Sequence, residues 1–236
     1  MLPSALLHGL HSLLCRFLCF NEEEFVMSTL TDLKSKDFLT ALASSAPAPG
    51  GGGGAAMAGA LAAALASMVC NLTIGKEKFA QQEPEVKCLL DEAEEVRQAL
   101  LALVEDDAAV FNSFMACYKL PKATDAEKAA RTAAIRAAAK QAAEVPLAIA
   151  RASYRVLQLA QRLVTIGNPG VITDAACSAL LARAALRCAD YNVRINLGLT
   201  KDEEYNNKVA AELNNLLKTA EELEEEALAV TDRVLG

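Results

Sequence analysis

The amino-acid sequence predicts an all-α protein, a single-domain bundle of long, alanine-rich helices. Of its 236 residues 53% are hydrophobic, yet only 5% are aromatic and tryptophan is absent. This composition suits closely packed helices better than a β-sandwich, because alanine favours helix whereas aromatic residues favour strand. Apolar residues recur at helical spacing, and no segment shows the alternation typical of a strand. The length is sufficient for one domain with a sizeable core.

The most distinctive segment is uncharged and begins with five consecutive glycines, Gly50–Gly54. We predict a flexible glycine hinge that leads into a helix from about Ala55 to Gly75, with Gly75 as its C-cap. Glycine allows backbone amides to approach a ligand closely, and the N-terminus of a helix attracts negative charge. The segment therefore predicts a ligand-binding site.

One face of this helix carries only small side chains. Gly59, Ala63 and Ser67 are four residues apart, so they share a face and allow another helix backbone to approach closely. We expect this face to pair with a second copy of the chain, which gives a homodimer.

Two other interpretations of the same segment are disfavoured. A nucleotide-binding P-loop would place Gly-Lys-Ser/Thr at the end of the glycine run, where this chain has Ala55 and Ala56. A membrane span is long enough between Ala55 and Ile74, but alanine contributes little to insertion and no aromatic belt flanks the segment. We therefore expect the buried central helix of a bundle and no membrane partner.

The remaining helices follow from periodicity, caps and breakers. Asp125 is the expected N-cap of its helix, and Pro146 is expected to kink or break that helix. The predicted helical segments are residues 32–44, Pro84 to about Met115, Asp125 to Pro146, Asp174 toward Asn196, and Lys201 to Leu235. Loops are expected at residues 118–122 and 167–170.

Charge and the rarer residues limit the partners. The net charge of −7 without a basic cluster argues against nucleic acid. The seven cysteines show no CxxC spacing, which favours reduced thiols and a cytoplasmic location. The two histidines, His8 and His11, together with Cys15 and Cys19 have a spacing that suits zinc. We favour instead an apolar leader with incidental polar residues, and so no metal site.

The leader divides the chain into two parts. We predict an N-terminal extension of uncertain origin over residues 1–26 and a helical domain over residues 27–236. Met27 is a more natural start than Met1. A secretion signal is the alternative, but the leader lacks a basic beginning and a small-residue cleavage site.

Several polar residues are candidates for chemistry. Asp107 falls on the apolar stripe of its helix, where it is either a desolvated acid with a raised pKa, a paired carboxylate or an edge residue. Asp174 is either an N-cap or functional, and Lys76 either compensates a helix dipole or binds a ligand. Asn192 and Asn196 share one helical face and need hydrogen-bond partners from protein or ligand.

In order along the chain, five segments resemble the cyclodeaminase/cyclohydrolase family of folate one-carbon enzymes. The segments are PAPGGGGGAAMAGALAAALASMVCNLTIGK from Pro47, DAAVFNSFMACYKLPK from Asp107, EKAARTAAIRAAAKQAAEVPLAIA from Glu127, GNPGVITDAACSALLARAAL from Gly167 and NVRINLGLTKDEEY from Asn192. The resemblance covers nearly all of the chain from about residue 32. It implies a helical protomer that pairs with a second copy and binds folate in a cleft near the dimer interface.

The resemblance also implies the reaction. Deamination of 5-formiminotetrahydrofolate to 5,10-methenyltetrahydrofolate and ammonia is the first expectation, and hydrolysis of 5,10-methenyltetrahydrofolate is the alternative. A non-catalytic folate-binding or scaffold dimer is the third possibility. Neither reaction requires a metal or a cofactor beyond the folate substrate, and a formiminotransferase is a possible partner.

On this resemblance we assign roles to the candidate residues. Asp107 is the expected acid/base group, and Lys76 orients it or binds the folate. Asn168 and Asp174 are expected to bind pterin nitrogens, with Asn192 and Asn196 as supporting wall. Backbone amides of the glycine run are expected to bind the pterin carbonyl or the glutamate tail, and the residues are Gly51, Gly52 and Gly53.

Overall fold

The computed structural model describes residues 29–236 and shows six α-helices. Their bounds are α1 Ser35–Leu42, α2 Gly51–Asn71, α3 Glu83–Cys117, α4 Asp125–Ile166, α5 Ile172–Thr200 and α6 Glu203–Leu235. No strand occurs in this range, which confirms the all-α prediction. The predicted leader, with the alternative zinc site at His8 and its neighbours and the proposed start at Met27, lies outside the described residues.

The alanine-rich helix α2 lies at the centre of the bundle. It packs against α3, α4 and α5, while α6 covers α4 and α5 from outside. Alanines with no exposed surface, among them Ala56, Ala62 and Ala66, form much of its contact area. Because alanine has only a methyl group, the neighbouring helices approach α2 closely, and larger side chains such as Leu157 and Leu186 fill the rest of the core.

The small-residue face of α2 is covered within the protomer. A Cβ atom on Gly59 would lie 3.0 Å from Ser153 Oγ and 3.1 Å from Leu100 Cδ2. Ala63 and Ser67, on the same face, are also buried. The expectation that this face pairs with a second copy is therefore wrong, because α3 and α4 of the same chain already occupy it.

Helix α2 begins and ends four residues earlier than predicted. The glycines from Gly51 onward are its first turn and not a hinge, and the helix ends at Asn71. Gly75 has a φ of +77°, but it lies in the turn toward α3, where its N–H donates to Glu83 Oε2 at 3.0 Å. Its left-handed conformation explains the glycine, although it is not the helix cap.

Two other boundaries differ from the sequence prediction. The N-cap of α4 is Thr124, and not Asp125, because Thr124 and Glu127 form a reciprocal capping box. Helix α5 continues to Thr200, and Lys201 ends it in the left-handed region with a φ of 55°.

Helix α4 runs through Pro146 without a break. A proline has no N–H, so the carbonyl four residues earlier, that of Ala142, has no helical donor. Asn196 of α5 supplies one, because its Nδ2 donates to Ala142 O at 2.9 Å. The predicted break is absent because a neighbouring helix satisfies the released carbonyl.

Two segments of the described range, Gly51–Asn71 and Pro169–Thr200, are long and apolar enough to span a membrane by composition. In the fold 61% and 50% of their most apolar stretches are buried against other helices. Core helices of a bundle meet the same criterion, and both segments occupy that position here.

The bond between Asn196 and the Ala142 carbonyl can be tested by a double-mutant cycle. Asn196→Ala should lower the free energy of unfolding by about 1–2 kcal/mol, because a buried carbonyl loses its donor. In a Pro146→Ala background the helix supplies its own N–H, and the same change should have a smaller effect, with a coupling of about 1 kcal/mol. Urea unfolding of the four proteins measures both values, and additive effects would contradict the assignment.

Candidate active site

A cavity of about 260 Å³ opens at the N-terminus of α2. The second half of α3, the last turns of α5 and one residue of α4 complete its wall. Its lining residues are Pro47, Ala48, Gly50, Gly51, Gly52, Asp107, Ala108, Val110, Phe111, Phe114, Ala142, Asn192, Ile195, Asn196 and Leu199. Drug-sized ligands occupy cavities of about 300–1,000 Å³, so this one encloses a ring-sized group and leaves the rest of a longer ligand outside.

Asp107 lies directly against the first turn of α2. Its Oδ2 accepts a hydrogen bond from the Gly53 N–H at 2.9 Å. A Cβ atom on Gly52 would lie 2.1 Å from Asp107 Oδ1, which is far inside van der Waals contact. Only glycine at position 52 permits this approach. The glycine run is helical because the Asp107 carboxylate from α3 packs against it and caps it.

The environment of Asp107 raises its pKa. The carboxyl group is largely desolvated between α2 and α3, and this burial outweighs the opposing effect of the Gly53 hydrogen bond. Within residues 29–236 it has no ion pair with lysine or arginine. Of the three interpretations of Asp107, the structure therefore favours the desolvated acid, whose raised pKa suits proton transfer.

The first turn of α2 also presents hydrogen-bond donors. The backbone N–H groups of Gly51 and Gly52 have no acceptor within the described residues. Both residues line the cavity beside Asp107. A ligand carbonyl can therefore bind at the positive end of the helix while an electron-poor centre lies near the carboxylate.

Asn192 and Asn196 of α5 form the wall that adjoins Gly51. The Nδ2 of Asn192 donates to Cys188 O at 2.8 Å, and the Nδ2 of Asn196 donates to Asn192 O and Ala142 O, both at 2.9 Å. The Asn192 amide also lies 3.5 Å from the Cβ position of Gly51. Structure thus brings Asn192, Asn196, Asp107 and the glycine turn to one cavity.

Aromatic and aliphatic side chains complete the cavity, and reasoning from sequence did not single them out as site residues. Phe111 is 39% exposed and Ile195 is 69% exposed, large values for apolar side chains. Phe114 and Leu199 lie beside them. Ile195 and Leu199 each follow one of the two asparagines by three residues along the same helix, and this spacing is a signal that could have found them.

Three predicted site residues lie at the other end of α2. The amide of Asn168 is engaged within the protomer, because Nδ2 donates to Leu72 O and Oδ1 accepts from the Gly170 N–H, both at 3.0 Å. Asp174 is half-buried in the first turn of α5, and Lys76 is exposed after the end of α2. A helix rises 1.5 Å per residue, so about 30 Å separates this end from Asp107.

The fold and the cavity define a small-molecule enzyme with one desolvated carboxylate, and comparisons with known proteins identify its family. The sequence profile of the formiminotransferase-cyclodeaminase family matches residues 34–232. The methenyltetrahydrofolate cyclohydrolase of Methylorubrum extorquens is 47% identical over 188 residues, which make up 80% of this chain and 90% of that protein. Formimidoyltransferase-cyclodeaminase of Rattus norvegicus is 32% identical over 81% of this chain, which spans 36% of that protein.

A solved structure is similar over the whole bundle. Formiminotetrahydrofolate cyclodeaminase from Thermotoga maritima superimposes with a TM-score of 0.78 at 28% identity, covering 86% of this chain and 98% of that one. The chain belongs to the formiminotransferase-cyclodeaminase family, which includes folate cyclodeaminases and cyclohydrolases. The family resemblance drawn from the five sequence segments is confirmed.

Two glycine substitutions test the close approach of Asp107 to α2. Gly52→Ala should force the carboxylate out of its position, so that the pKa of Asp107 falls toward the value of an ordinary aspartate. Gly54→Ala is the matched control, because its Cβ would meet only Leu42 at 3.9 Å. It should leave that pKa unchanged and stabilise the helix by about 0.5–1 kcal/mol.

Carbon-13 NMR titration of the aspartate carboxyl groups measures the pKa, and urea unfolding measures the stability. An unchanged titration of Asp107 in the Gly52→Ala variant would contradict the described contact.

Proposed function

We propose that this chain binds a reduced folate at the Asp107 cavity and hydrolyses 5,10-methenyltetrahydrofolate to 10-formyltetrahydrofolate. The observation that carries the proposal is the desolvated Asp107 carboxylate beside the free amides of Gly51 and Gly52. The resemblance seen in the sequence puts cyclodeamination first. The 47% identical relative, which aligns over 90% of its length and is named as a cyclohydrolase, supports hydrolysis as the first candidate instead.

The cavity suits the substrate in charge and size. The methenyl bridge carries a delocalised positive charge between N5 and N10, and the half-buried Asp107 carboxylate stabilises such a cation electrostatically. Phe111 and Phe114 supply apolar surface for the pterin ring, and the cavity encloses a group of that size. The benzoyl-glutamate portion would then extend through the mouth of the cavity.

Asp107 moves the proton in the proposed reaction. The carboxylate takes a proton from water as its oxygen attacks the methenyl carbon, which forms a neutral tetrahedral adduct. Collapse of this adduct breaks the bond between that carbon and N5, and Asp107 returns the proton to N5. The formyl group stays on N10 after the hydroxyl proton is lost to solvent, so one water is consumed and one proton is released.

Cyclodeamination of 5-formiminotetrahydrofolate is the second candidate, and the Thermotoga maritima structure with that activity in its name supports it. N10 attacks the formimino carbon, and the N10 proton passes to the formimino nitrogen. Asp107 in its acid form then protonates this nitrogen, and the bond from the carbon to it breaks to release ammonia. In hydrolysis water attacks the carbon between N5 and N10, and in cyclodeamination N10 attacks the same carbon. The same carboxylate can therefore transfer the proton in either reaction. A formiminotransferase, separate or fused, would supply the formimino substrate.

We also propose that the enzyme is a cytoplasmic homodimer. Exposed apolar side chains lie on neighbouring faces of α2 and α5, including Leu61 at 55% exposure, Met68 at 43% and Leu180 at 44%. Because Lys76 and Asp174 lie at the other end of α2 from Asp107, any part that they take in the site would come from a second copy. Sedimentation equilibrium tests it, and a monomer at micromolar concentration would contradict it.

Near-ultraviolet absorbance distinguishes the two reactions. Accelerated loss of the methenyl chromophore from 5,10-methenyltetrahydrofolate, relative to a sample without protein, is the expected result for the cyclohydrolase. Appearance of the chromophore from 5-formiminotetrahydrofolate would instead establish the cyclodeaminase. If neither trace departs from its control while the protein still binds folate, a non-catalytic folate-binding or scaffold dimer replaces the enzymatic proposal.

Asp107→Asn tests the acid/base role. We expect turnover to fall by about 10²-fold or more, the scale of general acid-base catalysis. The fold should be retained, because an asparagine oxygen can still accept from the Gly53 N–H. Near-normal turnover would remove Asp107 from the mechanism.

The pH dependence of both activity and stability follows from the raised pKa of Asp107. The reaction needs the ionised carboxylate, so kcat/KM of the wild-type protein should fall as the pH is lowered through the pKa of Asp107. This fall should occur at a higher pH than the ordinary aspartate pKa of 3.8 predicts. The folded state holds this proton to higher pH than the unfolded state, so ionisation of Asp107 lowers stability as pH rises through that range. Asp107→Asn should therefore be at least as stable as wild type at neutral pH in urea unfolding.

A further inference from the structure

The orientation of the two asparagine amides on α5 is determined by the groups they contact. The nitrogen of each amide faces only backbone carbonyl oxygens, those of Cys188, Asn192 and Ala142. A carbonyl oxygen accepts hydrogen bonds and cannot donate them, so an amide oxygen in place of the nitrogen would be repelled. The reversed orientation of either side chain is therefore excluded by its surroundings.

The consequence is that each amide offers an acceptor to the cavity. Within the described residues the Oδ1 atoms of Asn192 and Asn196 have no hydrogen-bond donor. Neither oxygen is among the buried polar atoms that lack a partner, so both are open to solvent or ligand. Asn196 is held most firmly, because its nitrogen bridges α4 and α5 at the carbonyl that Pro146 releases.

The cavity thus has donors on α2 and acceptors on α5, and the Asn192 amide lies 3.5 Å from the Cβ position of Gly51. Gly51 and Gly52 present N–H donors beside Asp107, whereas Asn192 and Asn196 present oxygen acceptors on the wall formed by α5. Residues four apart on a helix have Cβ atoms about 5–6 Å apart. The two acceptors can therefore both accept hydrogen bonds from one edge of a ring-sized ligand. Such a ligand needs a carbonyl on the side of α2 and N–H groups on the side of α5.

We infer that Asn192 and Asn196 determine specificity by accepting hydrogen bonds from the pyrimidine edge of the pterin, including its 2-amino group. This inference rests on the proposed function. In a pterin the C4 carbonyl lies next to N5, so a carbonyl bound at Gly51 and Gly52 brings N5 to the side of Asp107. The 2-amino group then points away from Asp107, toward the asparagines.

Equilibrium binding of two unreactive ligands tests the assignment without turnover. The ligands are 5-formyltetrahydrofolate and its 2-desamino-2-methyl analogue, which has a methyl group in place of the 2-amino group, and isothermal titration calorimetry measures both. Wild type should bind the parent about tenfold more tightly, the factor that corresponds to one or two well-formed hydrogen bonds. Asn192→Ala and Asn196→Ala should each reduce this preference to about threefold or less.

Controls separate recognition from structure. Asn112→Ala changes an exposed asparagine of α3 that does not line the cavity, and it should keep the tenfold preference. Asn196→Ala should lose the preference also in the Pro146→Ala background, where the Ala142 carbonyl has its own helical donor. A merely structural role for Asn196 predicts instead that Pro146→Ala restores the preference.

Each outcome decides between the proposals. If both asparagine variants weaken the two ligands equally, the specificity assignment is wrong while folate binding stands. If wild type binds neither ligand, the proposed function fails and the assignment fails with it. Loss of the preference in either alanine variant, with Asn112→Ala unchanged, supports the assignment.

Discussion

The contact between the Asp107 carboxylate and the first turn of α2 constrains the rest of the site. A carboxylate can approach a helix N-terminus this closely only where no Cβ intervenes, and Gly52 satisfies that requirement. The Gly53 hydrogen bond then caps α2 and holds Asp107 Oδ2, while Oδ1 lies against Gly52, which lines the cavity. One interaction thus explains the glycine run, the start of the central helix and the position of the acid.

A carboxylate at this position needs a rigid frame, and the alanine-rich core supplies it. Helices α3, α4 and α5 all pack on α2, so both sides of the cavity are anchored to one helix. The bond from Asn196 to Ala142 joins the cavity wall to the proline-containing turn of α4. Side chains that line the site therefore also satisfy backbone groups of the bundle, which limits how far they can rotate.

The two ends of α2 differ in what they do within one chain. At the N-terminal end, donors, acceptors and a desolvated acid meet around a cavity. At the C-terminal end, Asn168 joins the turn before α5 to Leu72 and Thr73 through two hydrogen bonds, and its Oδ1 accepts a third from the Gly170 N–H within the turn. Since its polar groups are already engaged, Asn168 stabilises a connection between helices in this protomer.

The sequence by itself determined the all-α class, the family, the helical periodicity and the position of Asp107 on an apolar stripe, because these depend on spacing along one chain. It did not predict a helical glycine turn, an unbroken helix at Pro146 or the burial of Gly59. Each of these depends on a side chain from a different helix: Asp107, Asn196 and Leu100 respectively. Only the tertiary structure decided which polar residues share a cavity. Asp107 and Lys76, to which the sequence analysis assigned one site, lie at opposite ends of α2, about 30 Å apart.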